Sequence, residues 1–315
     1  MATRREVLGG FAASAVSLLP GGALATGQRR EASTKLGAIR AVTFTASDLR
    51  AVQSAWTTFM GYRVISRGRI PTSTAMSWGT PRLEARPYLI MGPESGEPTY
   101  VRFIEQASGQ AQASPRRLGW TAAEFTVRNT DELYARLKDS PFQVTRPPRT
   151  VPTYSYLRAM HAVGPAGEQL NLTWITEHRP DLAVAESFVG RCFIAVLGAP
   201  NLSSALGFYK STFGNVPSPV RQLPGLQLSV IPLSDGTKIE VDNVGDTTTT
   251  SRADSPSPGE LPTGLAMASF SCADLDRLRD RLISHPVANA IEPFHGKPSG
   301  TMRGPAGELI ELLES

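Results

Sequence analysis

Few residues of this chain carry chemistry, so their placement decides what it can do. Of four histidines in 315 residues, His161 lies within a strand-like run, Leu157 to Val163. Glu124 lies in a second such run, Ala122 to Asn129, and Asn171 in a third, Leu170 to Ile175; Arg102 follows Tyr100. Side chains alternate along a strand. Tyr100 therefore shares a face with Arg102, Ala122 with Glu124 and Thr126, Ala159 with His161, and Gln169 with Asn171 and Thr173. A carboxylate, an imidazole, a guanidinium and a carboxamide form a set competent for acid–base chemistry. His161, whose ordinary pKa lies near neutrality, reads as the general base. Arg102 and Asn171 would stabilise developing negative charge, while Glu124, held ionised beside Arg102, would orient the reacting groups. Tyr88, Trp78, Tyr154 and Tyr156, with Tyr100, would supply aromatic walls for an organic substrate. The plainer account of an inward Glu and Arg is a buried pair whose only role is to satisfy itself.

Other site types find no support. No Gly-x-Gly-x-x-Gly follows a strand, and no Walker sequence, Gly-x-Ser-x-Gly elbow or Cys-x-x-Cys pair occurs. The second half offers Lys238, Glu240 and Asp242 on one strand and Ser269 and Ser271 on another, with Arg303 and Glu311. With no inward histidine there, these read as structural salt bridges in a vestigial half.

The elements that must position these groups are repeated. Gly-Pro-Ala-Gly-Glu occurs at Gly164 to Glu168 and again at Gly304 to Glu308, each time between two short strand-like runs. Clustered Gly and Pro between such runs make a hairpin turn. Ahead of the first hairpin come a strand at Ala122 to Asn129 and a helix at Asp131 to Lys138. Ahead of the second come a strand at Met267 to Asp274 and a helix at Leu275 to Leu282, with Leu275, Leu278 and Leu282 on one face. Two more copies start at Ile39 and Phe193, each running into a helix capped by Asp or Asn and closed by Gly. The chain thus holds four β-α-β-β-β units, an internal repeat.

The strand followed by Asp-Leu, the helix ending Phe-Tyr-x-x-x-Phe-Gly and the closing Gly-Pro-x-Gly-x-x-Ile-Glu-Leu resemble the vicinal oxygen chelate superfamily. That group includes glyoxalase I, extradiol dioxygenases and bleomycin-resistance proteins. The resemblance spans Ile39 to Leu313. It implies an α+β fold in which four βαβββ modules make two cupped mixed-sheet barrels, with domains at residues 38–178 and 188–315. Consecutive modules would then enclose one cavity shared by Glu124, His161 and Arg102. The family's metal ligands map onto Ala41, Ala122, Ile194 and Met267 in the first strands and Arg102, Asn171, Glu240 and Glu311 in the closing strands. The family's histidine is missing from all eight positions, and Ala, Ile, Met and Arg cannot ligate a divalent ion. Glyoxalase and dioxygenase activities are therefore not carried over, and no cofactor is assigned. A metal held atypically, by His161, Glu124 and a neighbouring oxygen, stays open.

Residues 1–25 stand outside the repeat. Arg4 and Arg5 precede an apolar run from Gly9 to Leu19 and the small residues Ala23 to Ala25, the three parts of a cleavable export signal of twin-arginine type. The run is too short to span a membrane, and no later one approaches that length. The expected location is the periplasm. Losing Arg4, Arg5 and Glu6 lowers the formal charge of +4 by one, too little to argue a nucleic-acid surface. Cys192 and Cys272 fall on opposite strand parities and read as two buried free thiols. Residues 108–117, 177–188 and 247–262 read as linkers, and residues 66–88 as an irregular insertion that could cover the first cavity. These features predict a monomeric or homodimeric exported enzyme of lyase or isomerase type, acting on a small aromatic or oxygenated molecule by acid–base chemistry. The alternatives are a binding protein that sequesters such a molecule, and a metal-dependent enzyme with the atypical site.

Overall fold

The four units are visible in a computed structural model that describes residues 34–106, 117–152, 154–177, 179–180, 182–223, 225–245 and 258–315. The export signal and the greater part of two linkers lie outside those residues. Unit one comprises β1 (Leu36–Ala46), α1 (Leu49–Ala55), β2 (Arg63–Arg69), α2 (Thr72–Ser77), β3 (Pro87–Gly92) and β4 (Tyr100–Glu105). Unit two comprises β5 (Gly119–Val127), α3 (Thr130–Leu137), β6 (Gln143–Val151), β7 (Tyr154–Val163) and β8 (Gln169–Ile175). Unit three comprises β9 (Val189–Ala199), α4 (Leu202–Phe213), β10 (Arg221–Leu223), β11 (Leu226–Pro232) and β12 (Lys238–Asn243). Unit four comprises β13 (Leu265–Cys272), β14 (Val287–Ala288), β15 (Pro298–Arg303) and β16 (Leu309–Glu314).

Local chemistry explains the repeated boundaries. The side chains of Asp48, Asn129 and Asn201 accept hydrogen bonds from the first free amides of α1, α3 and α4, which those helices cannot satisfy internally. Gly214 closes α4 in the left-handed region, where a side chain would strain the backbone. The helix expected over Leu275 to Leu282 is only a 3₁₀ turn, Asp276–Arg281. Leu275 and Leu278 are buried as predicted, but Leu282 already has extended backbone, and the chain turns toward Pro286.

Each hairpin Glu has a role that its turn motif does not announce. Glu168 accepts from the Ala166 amide at 2.7 Å and from Trp56 Nε1 at 2.8 Å. Glu308 does the same with the Ala306 amide at 2.8 Å and the Tyr209 hydroxyl at 3.0 Å. A helical residue of units one and three is thereby fastened to the hairpin of the unit that follows.

The sheets join units in an order that consecutive pairing does not anticipate. One eight-stranded sheet runs β14-β15-β16-β13-β1-β4-β3-β2, and the other β10-β11-β12-β9-β5-β8-β7-β6. Unit one therefore shares a sheet with unit four through the antiparallel β1–β13 pair, and unit two with unit three through β5–β9. The division at residues 178–188 cuts through both sheets. The principal core lies on their convex faces, where Val42, Phe44, Phe103, Phe125, Leu172, Leu197, Ile239 and Leu312 gather with the helices around Trp56. Cys192 and Cys272 are free and buried, one in each sheet.

Candidate functional site

The concave face of the first sheet is filled. Arg102 on β4 and Glu311 on β16 reach toward each other over the intervening β1 and β13, and Arg102 Nη2 donates to Glu311 Oε2 at 2.6 Å. Arg102 Nε donates to Thr43 at 2.9 Å, and Ser269 donates to the same Glu311 oxygen. Trp78, just after α2, lays its ring over the guanidinium at 4.5 Å and gives its Nε1 proton to Glu311 Oε1 at 2.9 Å. Ile70, Leu83, Tyr88, Ile90, Ile104, Met267 and Leu309 complete an apolar cluster around this group. Arg102 is 0% exposed, Trp78 0% and Glu311 1%, so the group is closed off from solvent. The insertion at residues 66–88, expected to cover a cavity of the first half, instead plugs the cup that unit one forms with unit four, through the segment between β2 and β3.

The concave face of the second sheet is open and polar. Its ladder sets Glu124 of β5 beside Asn171 of β8, and Asn171 beside His161 of β7. On the other side of β5, Glu124 lies opposite Ile194 of β9, which lies opposite Lys238 of β12. Glu240 and Asp242 follow Lys238 at alternate positions, on the same face. Their odd-numbered neighbours Ile239 and Val241 are buried in the core, whereas Glu124, His161, Asn171, Lys238, Glu240 and Asp242 are all half-buried. Thr173 donates to Glu124.

Removal from water dominates the electrostatics. Burial, with Asp242 and Glu124 as negative neighbours, pushes the Glu240 carboxyl up to about 8 despite the opposing Arg221. Burial raises Asp242 to about 6. Burial also raises Glu124, against the hydrogen bond from Thr173 and the charge of Lys238. His161 moves the other way, to about 4, through burial and then the charges of Arg146 and Arg149. At neutral pH its ring is uncharged and a poor base, so the proton-transfer role expected of His161 suits Glu240 better.

The expected constellation is thus divided. Glu124, His161 and Asn171 come together, whereas Tyr154 and Tyr156, their ring centroids 5.8 Å apart, do not wall the cup: Tyr156 has the parity of Met160 and Ala162, which are buried in the core on the other face of β7. Arg102, Trp78, Tyr88 and Tyr100 belong to the first sheet, where Tyr100 packs edge-on against Phe294 at 5.7 Å. Arg102 is no partner of Glu124, because unit one pairs with unit four. Conversely Lys238, Glu240 and Asp242, expected to form internal salt bridges, complete the cup that contains Glu124. Strand alternation placed Glu124, His161, Asn171 and Arg102 on the correct faces, but it could not say which faces would meet.

The positions that the resemblance assigns to metal ligands now fall into two sets. Ala41, Arg102, Met267 and Glu311 lie in the first cup, and Ala122, Asn171, Ile194 and Glu240 in the second. Neither set fits a divalent ion. The first supplies one carboxylate already bound to a guanidinium, and the second one carboxyl and one carboxamide. Among the described residues, no three His, Cys, Asp or Glu side chains come together so as to hold a metal ion.

No family model matches the chain, and no curated protein matches it. Solved structures do. Glyoxalase I from Zea mays superposes with a TM-score of 0.63 at 13% identity, covering 88% of this chain and 92% of that one. A putative dioxygenase from Bacillus subtilis superposes with a TM-score of 0.60 at 12% identity, covering 90% of this chain and 86% of that one. At such identities the likeness establishes the fold, two curled mixed sheets built from four modules, and leaves function to the residues in the cups.

Proposed function

We propose that this chain is an exported protein of the vicinal oxygen chelate fold that binds a small organic molecule in its second sheet and moves a proton on it, as a lyase or isomerase does. One observation carries the reading. Glu124, Glu240 and Asp242 stand half-buried on an open concave face, while the matching face of the other sheet is sealed. A carboxyl whose pKa lies near the working pH is well placed to give and take a proton, and Glu240 is such a group. Lys238 and Arg221 would stabilise negative charge that develops on the substrate, and Asn171 and the neutral His161 would hydrogen-bond it. Arg4, Arg5 and the apolar run before Ala25 support export to the periplasm.

A second reading, sequestration without chemistry, is favoured by a different feature. Among the described residues, no side chain hydrogen-bonds Glu240 or His161, so neither has the orienting partner that a proton-transfer group commonly has. A panel of small aromatic and oxygenated compounds, ranked by the shift each causes in melting temperature, distinguishes the two. Conversion of a hit to product, slowed about 10²- to 10⁴-fold by Glu240→Gln, is the outcome expected of an enzyme. Tight binding with no product, unaffected by that substitution, overturns proton transfer.

A further inference from the structure

Taking the second cup as the ligand site, we propose that its ligand is an organic anion, seated through its carboxylate on Arg146 and Arg149 of β6, with its body reaching across the concave face toward Glu240. In the β6–β7 ladder Arg146 lies opposite His161 and Arg149 opposite Ala159, so both belong to the wall that ends the concave face. Both guanidinium charges act on the His161 ring. At the opposite edge of the same sheet, Arg221 of β10 acts on Glu240.

The chain's own carboxylates do not neutralise the β6 wall. Among the described residues neither Arg146 nor Arg149 joins an ion pair, whereas Arg158, the neighbouring arginine of β7, is taken by Asp131. Glu124, Glu240 and Asp242 make no ion pair either. Glu124 lies two strands from His161, about 10 Å along the sheet, and Glu240 and Asp242 lie two strands further on. The β6 guanidinium groups and these carboxyl groups are therefore held apart in one hollow. Arginine presents paired donors that match a carboxylate, and a cationic rim also raises the local concentration of anions. An anion on the β6 wall neutralises it and leaves the far end of the ligand at Glu240, where the proton moves.

The test compares 4-phenylbutyrate with 4-phenylbutyramide, near-isosteres differing in charge, with the His161 ring resonances as reporter and titration calorimetry for affinity. The carboxylate is expected to bind at least about tenfold more tightly than the amide. The double variant Arg146→Gln, Arg149→Gln should bring the two within about twofold. Its melting temperature should stay unchanged, because both side chains are exposed on an edge strand. Arg277→Gln, in the exposed 3₁₀ turn after β13, where Arg277 pairs with Asp274, serves as the charge control and should leave the preference for the acid unchanged. Equal binding of the two probes, or a preference that survives in the double variant, overturns the proposal. An amide that binds and moves His161 as strongly as the acid does so while leaving the cup as the ligand site. If neither probe moves His161 at millimolar concentration, both the anion and the cup are overturned.

Discussion

Glu308 is 2% exposed, and burial pushes its carboxyl to about 7, against the hydrogen bonds it accepts from Tyr209 and Ala306. The sign of its effect on stability follows from that direction. A carboxyl whose folded pKa is raised holds its proton more tightly in the folded state. Its favourable contribution is complete below the ordinary value of 4.5 and is lost as pH rises to about 7. The loss is at most about 3 kcal/mol. Urea unfolding should show that decline, and Glu308→Gln should flatten it. Arg102 has the opposite character, a buried cation whose neutrality depends on Glu311. Arg102→Ala strands that carboxylate and should cost about 3–5 kcal/mol in the same assay. Arg102→Met combined with Glu311→Leu should recover most of the loss, because the pair needs mutual neutralisation more than it adds stability.

The insertion between β2 and β3 does for the first sheet what a ligand would do elsewhere. Its two short helical segments bring Trp78 into contact with Arg102 and Glu311 together. Trp78→Ala should therefore destabilise the protein by about 3–5 kcal/mol, measured as a fall in the urea midpoint. It should also leave the second cup's ligand affinity unchanged, since that cup is built from other strands. A loss of ligand binding without a loss of stability would show that the insertion serves the site and not the core. At this scale much was legible beforehand. The twin Gly-Pro-Ala-Gly-Glu hairpins, the Asp and Asn caps and the alternating runs mark local features, and local features are what short-range sequence dictates. The fourth helix failed because its leucine spacing is equally satisfied by a 3₁₀ turn followed by extended chain.

At the scale of the whole molecule, each sheet takes one unit from either side of the division at residues 178–188. A fragment of residues 34–177 would leave the β13-facing edge of β1 and the β9-facing edge of β5 unpaired, with core side chains beside them. Alone it should aggregate or pair with a second copy, and mixing it with residues 182–315 should restore a one-to-one complex. Size-exclusion chromatography with light scattering checks this, and a folded, monomeric first half would contradict the sheet order.

The number of units, the face on which each side chain lies and the lack of a metal-binding set at the expected positions all follow from residue types and spacing, because a strand's period and a donor's chemistry are properties of short stretches. Which unit shares a sheet with which is set by contacts between residues far apart in the chain, such as Ala41 opposite Ser269 and Glu124 opposite Ile194. Every first strand carries much the same alternation, so nothing within a strand names its partner. Tertiary structure alone made that choice, and with it closed one cup around Arg102 and opened the other around Glu124 and Glu240.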